Sequence, residues 1–119
     1  MGNPTHGTLK LSDGLELTYC NPSFIWSDDS RYLAVPQFAG FFRRQRMLVI
    51  DVVERIVFAS SDRAWYFQPD SFEAGCLIAS KEPNRKSPKQ IRWDIPKDLR
   101  RFREIGVSWP LPVGVSSSV

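Results

Sequence analysis

The run MLVIDVV, Met47 to Val53, is apolar at positions that would face both sides of an extended chain. A strand with that pattern needs cover on each face, which makes it a central strand and not an edge. The chain has 119 residues, enough for one domain and a modest core.

Shorter strand signals surround this run. In TLKLSDGLELTY, Leu9 and Leu11 alternate with polar residues, and Leu15, Leu17 and Tyr19 do the same around Asp13-Gly14. Asp-Gly between two alternating runs is the signal of a two-residue hairpin turn. After the break at Asn21-Pro22-Ser23, Phe24–Trp26 and Tyr32–Val35 read as two strands joined by Ser27-Asp28-Asp29-Ser30-Arg31. Asp and Ser suit such a turn because their side chains bond the nearby backbone. Residues 37–46 read as a long connection bent at Gly40, and IVFAS (56–60) follows the central run as a further strand. In the second half AWYF (64–67), CLIAS (76–80) and IRWDI (91–95) are strand candidates, with QPDSFEAG (68–75) as a turn and KEPNRKSPKQ (81–90) as a basic loop. PKDLRRFREIG then reads as a short helix over 97–105: Pro96 can open it, Leu99, Phe102 and Ile105 can share a face, and Gly106 can end it. The fold class expected is therefore mostly β and antiparallel, with two sheets in a small sandwich and one short C-terminal helix. Leu33, Leu48, Ile50, Val52, Val57, Leu77, Ile78 and Ile91 are the expected core.

Two segments repeat weakly. WSDDS at Trp26 matches FQPDS at Phe67, both aromatic–x–x–Asp–Ser and 41 residues apart; VIDV at Val49 matches RWDI at Arg92, 43 apart. That spacing falls in the range of about 40–45 for a four-stranded propeller blade. Trp26 to Ser30 with Leu33-Ala34-Val35, and Trp93-Asp94 with Ile50-Asp51 in the corresponding place, resemble the turn and the strand-ending Trp-Asp of the WD-repeat β-propeller families. The resemblance covers Asn21 to Ile95. It departs from the family at Ser30 and Ser71, where the turn glycine is replaced, in the lack of a Gly-His pair, and in a three-residue insertion in the second turn. It implies blade-like units over 21–60 and 61–96 within a single β domain of residues 1–110, followed by a flexible tail over 111–119. Two blades cannot close a ring, so an open pair of stacked sheets is the expectation, with a sheet edge or face free for a partner.

Composition narrows the function. Eleven of the 16 basic residues are Arg and the net charge is +3, which favours an anionic partner but is too mild to imply nucleic acid by itself. No stretch approaches the roughly 20 apolar residues of a membrane span, and no secretory signal is visible, so a cytoplasmic protein with no membrane partner is expected. Cys20 and Cys76 read as buried free thiols, with no metal-ligand spacing. His6 is the only histidine, which argues against a Ser–His–Asp or Cys–His device. Asp28-Asp29 is explained by its turn, and Asp51 and Asp94 by turn bonding or by pairing with Arg55, Arg92 or Lys97. No enzyme, no cofactor and no metal is the resulting expectation.

Binding signals are stronger. FAGFFRRQR gathers Phe38, Phe41 and Phe42 with Arg43, Arg44 and Arg46, the residue types enriched at protein-protein hot spots. These six are the candidate partner-binding residues. The leading expectation is a non-catalytic module that binds another protein through an acidic patch, in one form a toxin-neutralising immunity protein that occludes an active site. A nucleic-acid binder using the Arg and aromatic loops is the alternative, and a small enzyme of unknown reaction the second alternative. Convergence of the basic segments on one face would favour nucleic acid; acids such as Asp28, Asp29 and Glu54 interleaved with them would favour a protein.

Overall fold

A computed structural model describes residues 7–12, 14–39, 44–81 and 89–106. His6, the Gly40 bend with Phe41, Phe42 and Arg43, most of the basic loop, and the 111–119 tail lie outside the described residues. The strands are β1 Gly7–Lys10, β2 Glu16–Cys20, β3 Ile25–Trp26, β4 Tyr32–Ala39, β5 Arg44–Asp51 and β6 Ile56–Ala59. Then come β7 Phe67–Glu73, β8 Cys76–Lys81, β9 Lys89–Asp94, the single helical turn α1 Ile95–Asp98, a 3-10 turn Leu99–Arg101 and β10 Arg103–Ile105. All pairings are antiparallel. One sheet has seven strands in the order β1-β2-β4-β5-β6-β10, with β3 also on β4; the other is β7-β8-β9.

β5 is the centre of this arrangement, as its composition requires. Met47, Leu48, Val49 and Ile50 are all fully buried. Met47 and Val49 face one cluster with Ala34, Phe67, Phe72, Leu77, Ala79, Trp93 and Phe102, which is where the small sheet stacks on the large one. Leu48 and Ile50 face a second cluster with Leu33, Val35, Val57 and Ala59, and this is covered by Leu15, Leu17 and Cys20 of the β1–β2 hairpin. The strand ends at Asp51, earlier than its apolar run: Val52 is only partly buried and Val53 is exposed in the turn to β6.

Two bulges decide which side chains face inward. Strand pairing runs Leu9 with Leu17 and then Gly7 with Cys20, so β2 carries one extra residue. Tyr19 takes φ 59 there, swings out to 59% exposure, and Cys20 turns into the core in its place. β7 does the same at Asp70, between the pairs Pro69–Ala79 and Ser71–Ile78. Phe67 and Phe72 are five apart and would face opposite sides of a regular strand; the extra residue brings both into the core.

Several expectations change accordingly. Of the expected Asp13-Gly14 turn, Asp13 lies outside the described residues, and Leu11 N–H donates to Leu15 C=O at 2.9 Å across it. The long connection is instead a hairpin: Gln37, Phe38 and Ala39 extend β4 and Arg44, Gln45 and Arg46 begin β5, with Ala39 opposite Arg44. Residues 68–73 form strand β7, not a turn; the turn lies at Ala74-Gly75, both left-handed (φ 51 and 77). Of AWYF only Phe67 is in a strand, Ala64 making an isolated bridge to Gln45. The helix starts at Ile95 and is finished by Arg101, and Arg103–Ile105 pairs with β6 to close that edge. Leu99 and Phe102 pack in the first cluster and Ile105 against the second, so they do not share a helix face. Ile78 lies on the outer face of β8, and Ile78, Ile91 and Val52 are half-buried, while Trp93, Ile95, Phe67 and Phe72 take the core places.

The expected Ser27–Arg31 turn is present. Ser27 Oγ donates to Asp29 Oδ1 at 2.6 Å and accepts Tyr32 N–H at 3.0 Å, and Ser30 sits at φ 62. The same turn joins the sheets: Asp28 N–H donates to Phe72 C=O at 3.1 Å and Asp28 Oδ2 accepts Ala74 N–H at 3.0 Å. Truncating Ile50 to Ala, at the centre of this double cover, is expected to cost about 2–5 kcal/mol. Urea denaturation checks it, and an unmoved midpoint would place the core elsewhere.

Candidate functional site

Charge is distributed along β4 and β5 in a way their composition does not reveal. At one end, Tyr32 stands opposite Asp51, beside the Asp28-Asp29 turn and Glu54. At the other, Ala39 stands opposite Arg44 and Gln37 opposite Arg46. Eight residues of strand separate the two ends, roughly 24 Å at about 3.4 Å per residue.

The acidic end is internally compensated. Asp51 is only 4% exposed. Its carboxylate accepts from Arg31 Nε at 3.3 Å and Nη2 at 3.0 Å, and from the N–H groups of Val53 and Glu54 at 3.0 Å each. Its guanidinium partner is thus Arg31, across the β3–β4 turn, and the same contact raises the Arg31 pKa. Hydrogen bonds from Ser27 and from the Arg31 backbone lower that of Asp29. The carboxylates of Asp28, Asp29 and Asp51 thus hold turns and the sheet end together.

The arginine end is not compensated in this way. The Arg44 guanidinium lies 5.1 Å from the ring centroid of Trp65, which is 50% exposed. Trp65 reaches this place because Ala64 pairs with Gln45, exchanging backbone bonds of 2.6 and 3.1 Å. Gln45 itself is fully buried and accepts Phe67 N–H at 2.7 Å, tying the start of β7 to the same point. Arg46 donates through Nε and Nη2 to Gln37 Oε1 at 3.1 and 2.9 Å. Its pKa is lowered, first by burial and then by the positive charges of Arg63 and Arg103. Neither Arg46, Arg63 nor Arg103 has a carboxylate partner among the described residues.

Of the six candidate binding residues, Arg44 and Arg46 therefore stand at this end on one face of β5, and Phe38 stands half-buried on β4 opposite Gln45. Phe41, Phe42 and Arg43 lie outside the described residues. Trp65, Arg63 and Arg103 complete the surface and were not legible. The hint was the run Asp62-Arg63-Ala64-Trp65, but its pairing with β5 leaves no mark in composition. Two of the three basic segments meet here, through Arg46 and Arg103, and Asp28, Asp29 and Glu54 lie at the far end.

A second feature is an open depression of about 460 Å³ on the outer face of the small sheet. Cys76 stands there between Glu73 and Asp94 on the flanking strands, and Arg92 Nε lies 3.0 Å from its Sγ. No group of three or more His, Cys, Asp or Glu among the described residues could hold a metal ion. No helix among them is long and apolar enough to cross a membrane.

The two thiols are both free but differ in setting: Cys20 is buried and Cys76 half-buried. Burial pushes the Cys20 thiol up from 9.0 to about 11. The folded chain keeps a proton there that the unfolded chain releases, so this contribution to stability is whole below pH 9.0 and is lost as pH rises toward 11. A urea midpoint that falls over this range, and falls less in Cys20→Ala, is the expected result. Ellman's reagent is expected to label Cys76 first in the native protein, with Cys20 reacting only on unfolding; rapid labelling of Cys20 would contradict its burial. No known protein family, curated protein or solved structure matches the chain, so its function is argued from the arrangement of these residues.

Proposed function

We propose that this chain is a non-catalytic protein-binding module whose docking surface is the arginine end of the β4–β5 hairpin, and that it engages an acidic patch on its partner. The observation that carries this reading is the Arg44 guanidinium stacked on the exposed Trp65 indole. Trp and Arg are the side chains most often found at hot spots, and here they hold each other in place before any partner arrives. An acidic patch suits this surface because Arg46, Arg63 and Arg103 have no carboxylate partner among the described residues. A module of this size acts by covering part of its partner; neutralising a toxin as an immunity protein is one form of that action.

One observation favours a second reading. Two basic segments converge here and Asp28, Asp29 and Glu54 are not interleaved with them, which is the placement of charge that a phosphate backbone would select, and the exposed Trp65 could stack a base.

Titration against the partner that co-purifies from the source cell tests the proposal. Trp65→Ala and Arg44→Ala are each expected to weaken the complex by about 2 kcal/mol or more, with circular dichroism unchanged. Arg44→Ala is also expected to slow association and reduce its salt sensitivity. Unaltered affinity in both variants would move the site to another face. Binding to any oligonucleotide with a salt slope of several units would favour the nucleic-acid reading. Independently of any partner, a double-mutant cycle of Arg44→Ala and Trp65→Ala is expected to give a coupling of about 0.5–1 kcal/mol, the range for an exposed cation–π pair.

A further inference from the structure

Beside the Arg44–Trp65 pair, three other arginines meet at the corner of β5, β6 and β10. Arg103 stands opposite Ala59 on β6, and Ala59 opposite Leu48 on β5. Directly opposed residues of an antiparallel sheet point to the same face, so Arg103, Ala59 and Leu48 form one row. Arg46 lies two residues from Leu48 on that face, one step beyond the row. Arg63 is pinned close by at two points, both on β5. Ser60 exchanges bonds with Met47 (N–H to C=O 2.9 Å, and Met47 N–H to Oγ 3.0 Å), and Ala64 pairs with Gln45. Arg63 Nη1 folds back onto Ser60 C=O at 2.6 Å.

Among the described residues no acid answers these charges. The adjacent Asp62 carboxylate accepts the Trp93 indole N–H at 3.4 Å, and Glu104 stands opposite Phe58, one residue out of step with Arg103 and so on the other face. A guanidinium carries five N–H donors. Among the described residues Arg46 spends two on Gln37, Arg63 bonds only backbone carbonyls, and Arg103 makes no side-chain bond. Each Arg is a fork suited to an oxyanion, and the repulsion that Arg63 and Arg103 exert on Arg46 is relieved by an anion between them.

We propose that Arg46, Arg63 and Arg103 form a seat for one phosphate group. A carboxylate presents two oxygens in one plane. A phosphate presents three or four oxygens in a tetrahedron and can accept from donors that arrive from three separate elements, as here. The seat uses neither Arg44 nor Trp65, so it stands whether or not a protein docks on that pair. It would also fasten β10, an edge strand of three residues, to the centre of the sheet.

Thermal unfolding of the full chain at constant ionic strength tests it, with chloride replaced by inorganic phosphate in one arm and a short oligothymidylate added in another. Wild type, Arg63→Gln, Arg103→Gln and, as a control on the outer face of the small sheet, Arg92→Gln are compared. Phosphate is expected to raise the Tm of wild type and Arg92→Gln, with that rise lost in Arg63→Gln and Arg103→Gln. In chloride, Arg103→Gln is expected to melt no lower than wild type, because it removes a repelling charge and breaks no hydrogen bond among the described residues. Protection by oligothymidylate at a lower concentration than phosphate, lost in the same two variants, would support the seat and assign its phosphate to a nucleic-acid backbone. A rise of equal size in all four proteins would be a general salt effect and would overturn the proposal, as would no rise in wild type with either anion.

Discussion

The structure depends on one constraint: β5 has no solvent face. With Met47 to Ile50 buried on both sides, the chain has to supply two covers from few residues. It uses the small sheet for one and the leucines of the β1–β2 hairpin for the other. The apolar area hidden around a central strand is the largest favourable contribution a domain of this size can gather. The remaining features hold the covers in register. Asp28 bonds the β3–β4 turn to the β7–β8 hairpin, the Gln45 side chain bonds the start of β7, and Phe102 packs edge-on against Trp93 with centroids 5.7 Å apart. Gln45 is a polar group inside this core whose Oε1 is satisfied and whose Nε2 has no hydrogen-bond partner, an arrangement that costs about 1–3 kcal/mol.

A strand buried on both faces can carry charge only near its ends, and the two ends of β5 are treated differently. Asp51 is nearly as buried as the core, yet two guanidinium contacts and two backbone N–H groups surround its carboxylate. Removing it would leave those donors without an acceptor, which is the mark of a structural ion pair. At the other end Arg46, Arg63 and Arg103 have no carboxylate partner among the described residues, and burial and the charges of Arg63 and Arg103 lower the Arg46 pKa. Like charges held together without an acid are costly to folding, which is why the arginine end and not the acidic end is read as functional.

Much of the fold was legible because apolar runs and turn residues report strands directly. The antiparallel class, the central place of Met47 to Asp51, β6, β8, β9 and the Ser27–Arg31 turn all follow from that signal. The failures share a physical cause. Alternation assumes one residue per pleat, and the bulges at Tyr19 and Asp70 each add one, exchanging Tyr19 for Cys20 and bringing Phe72 to the side of Phe67. Nothing local announces an extra residue, because its benefit lies in the packing of the opposite sheet. The C-terminal segment failed for a different reason. Leu99, Phe102 and Ile105 fit a helix by spacing, but once Phe102 reached Trp93, pairing with β6 satisfied the backbone of Arg103 to Ile105 better than another helical turn would. For the site, Arg44 and Arg46 were visible by composition. Trp65, Arg63 and Arg103 were not, since they join it only through the Gln45–Ala64 bridge and the β6–β10 pairing.

That residues 37–39 and 44–46 are strand and not connection also changes how the site can work. Arginines on a loop tip sample many rotamers and backbone states, and ordering each on binding costs about 0.5–1.5 kcal/mol. Arg44 and Arg46 instead leave a paired strand on the same face, two residues apart, with Ala39 and Gln37 opposite them. One is steadied by the Trp65 ring and the other by the Gln37 amide oxygen. Their backbone entropy was already lost when β5 folded, and the folding of β5 is driven by the core beneath it. The strand that anchors the hydrophobic centre thereby delivers two oriented guanidinia to the surface, and stability and recognition are coupled through a single element.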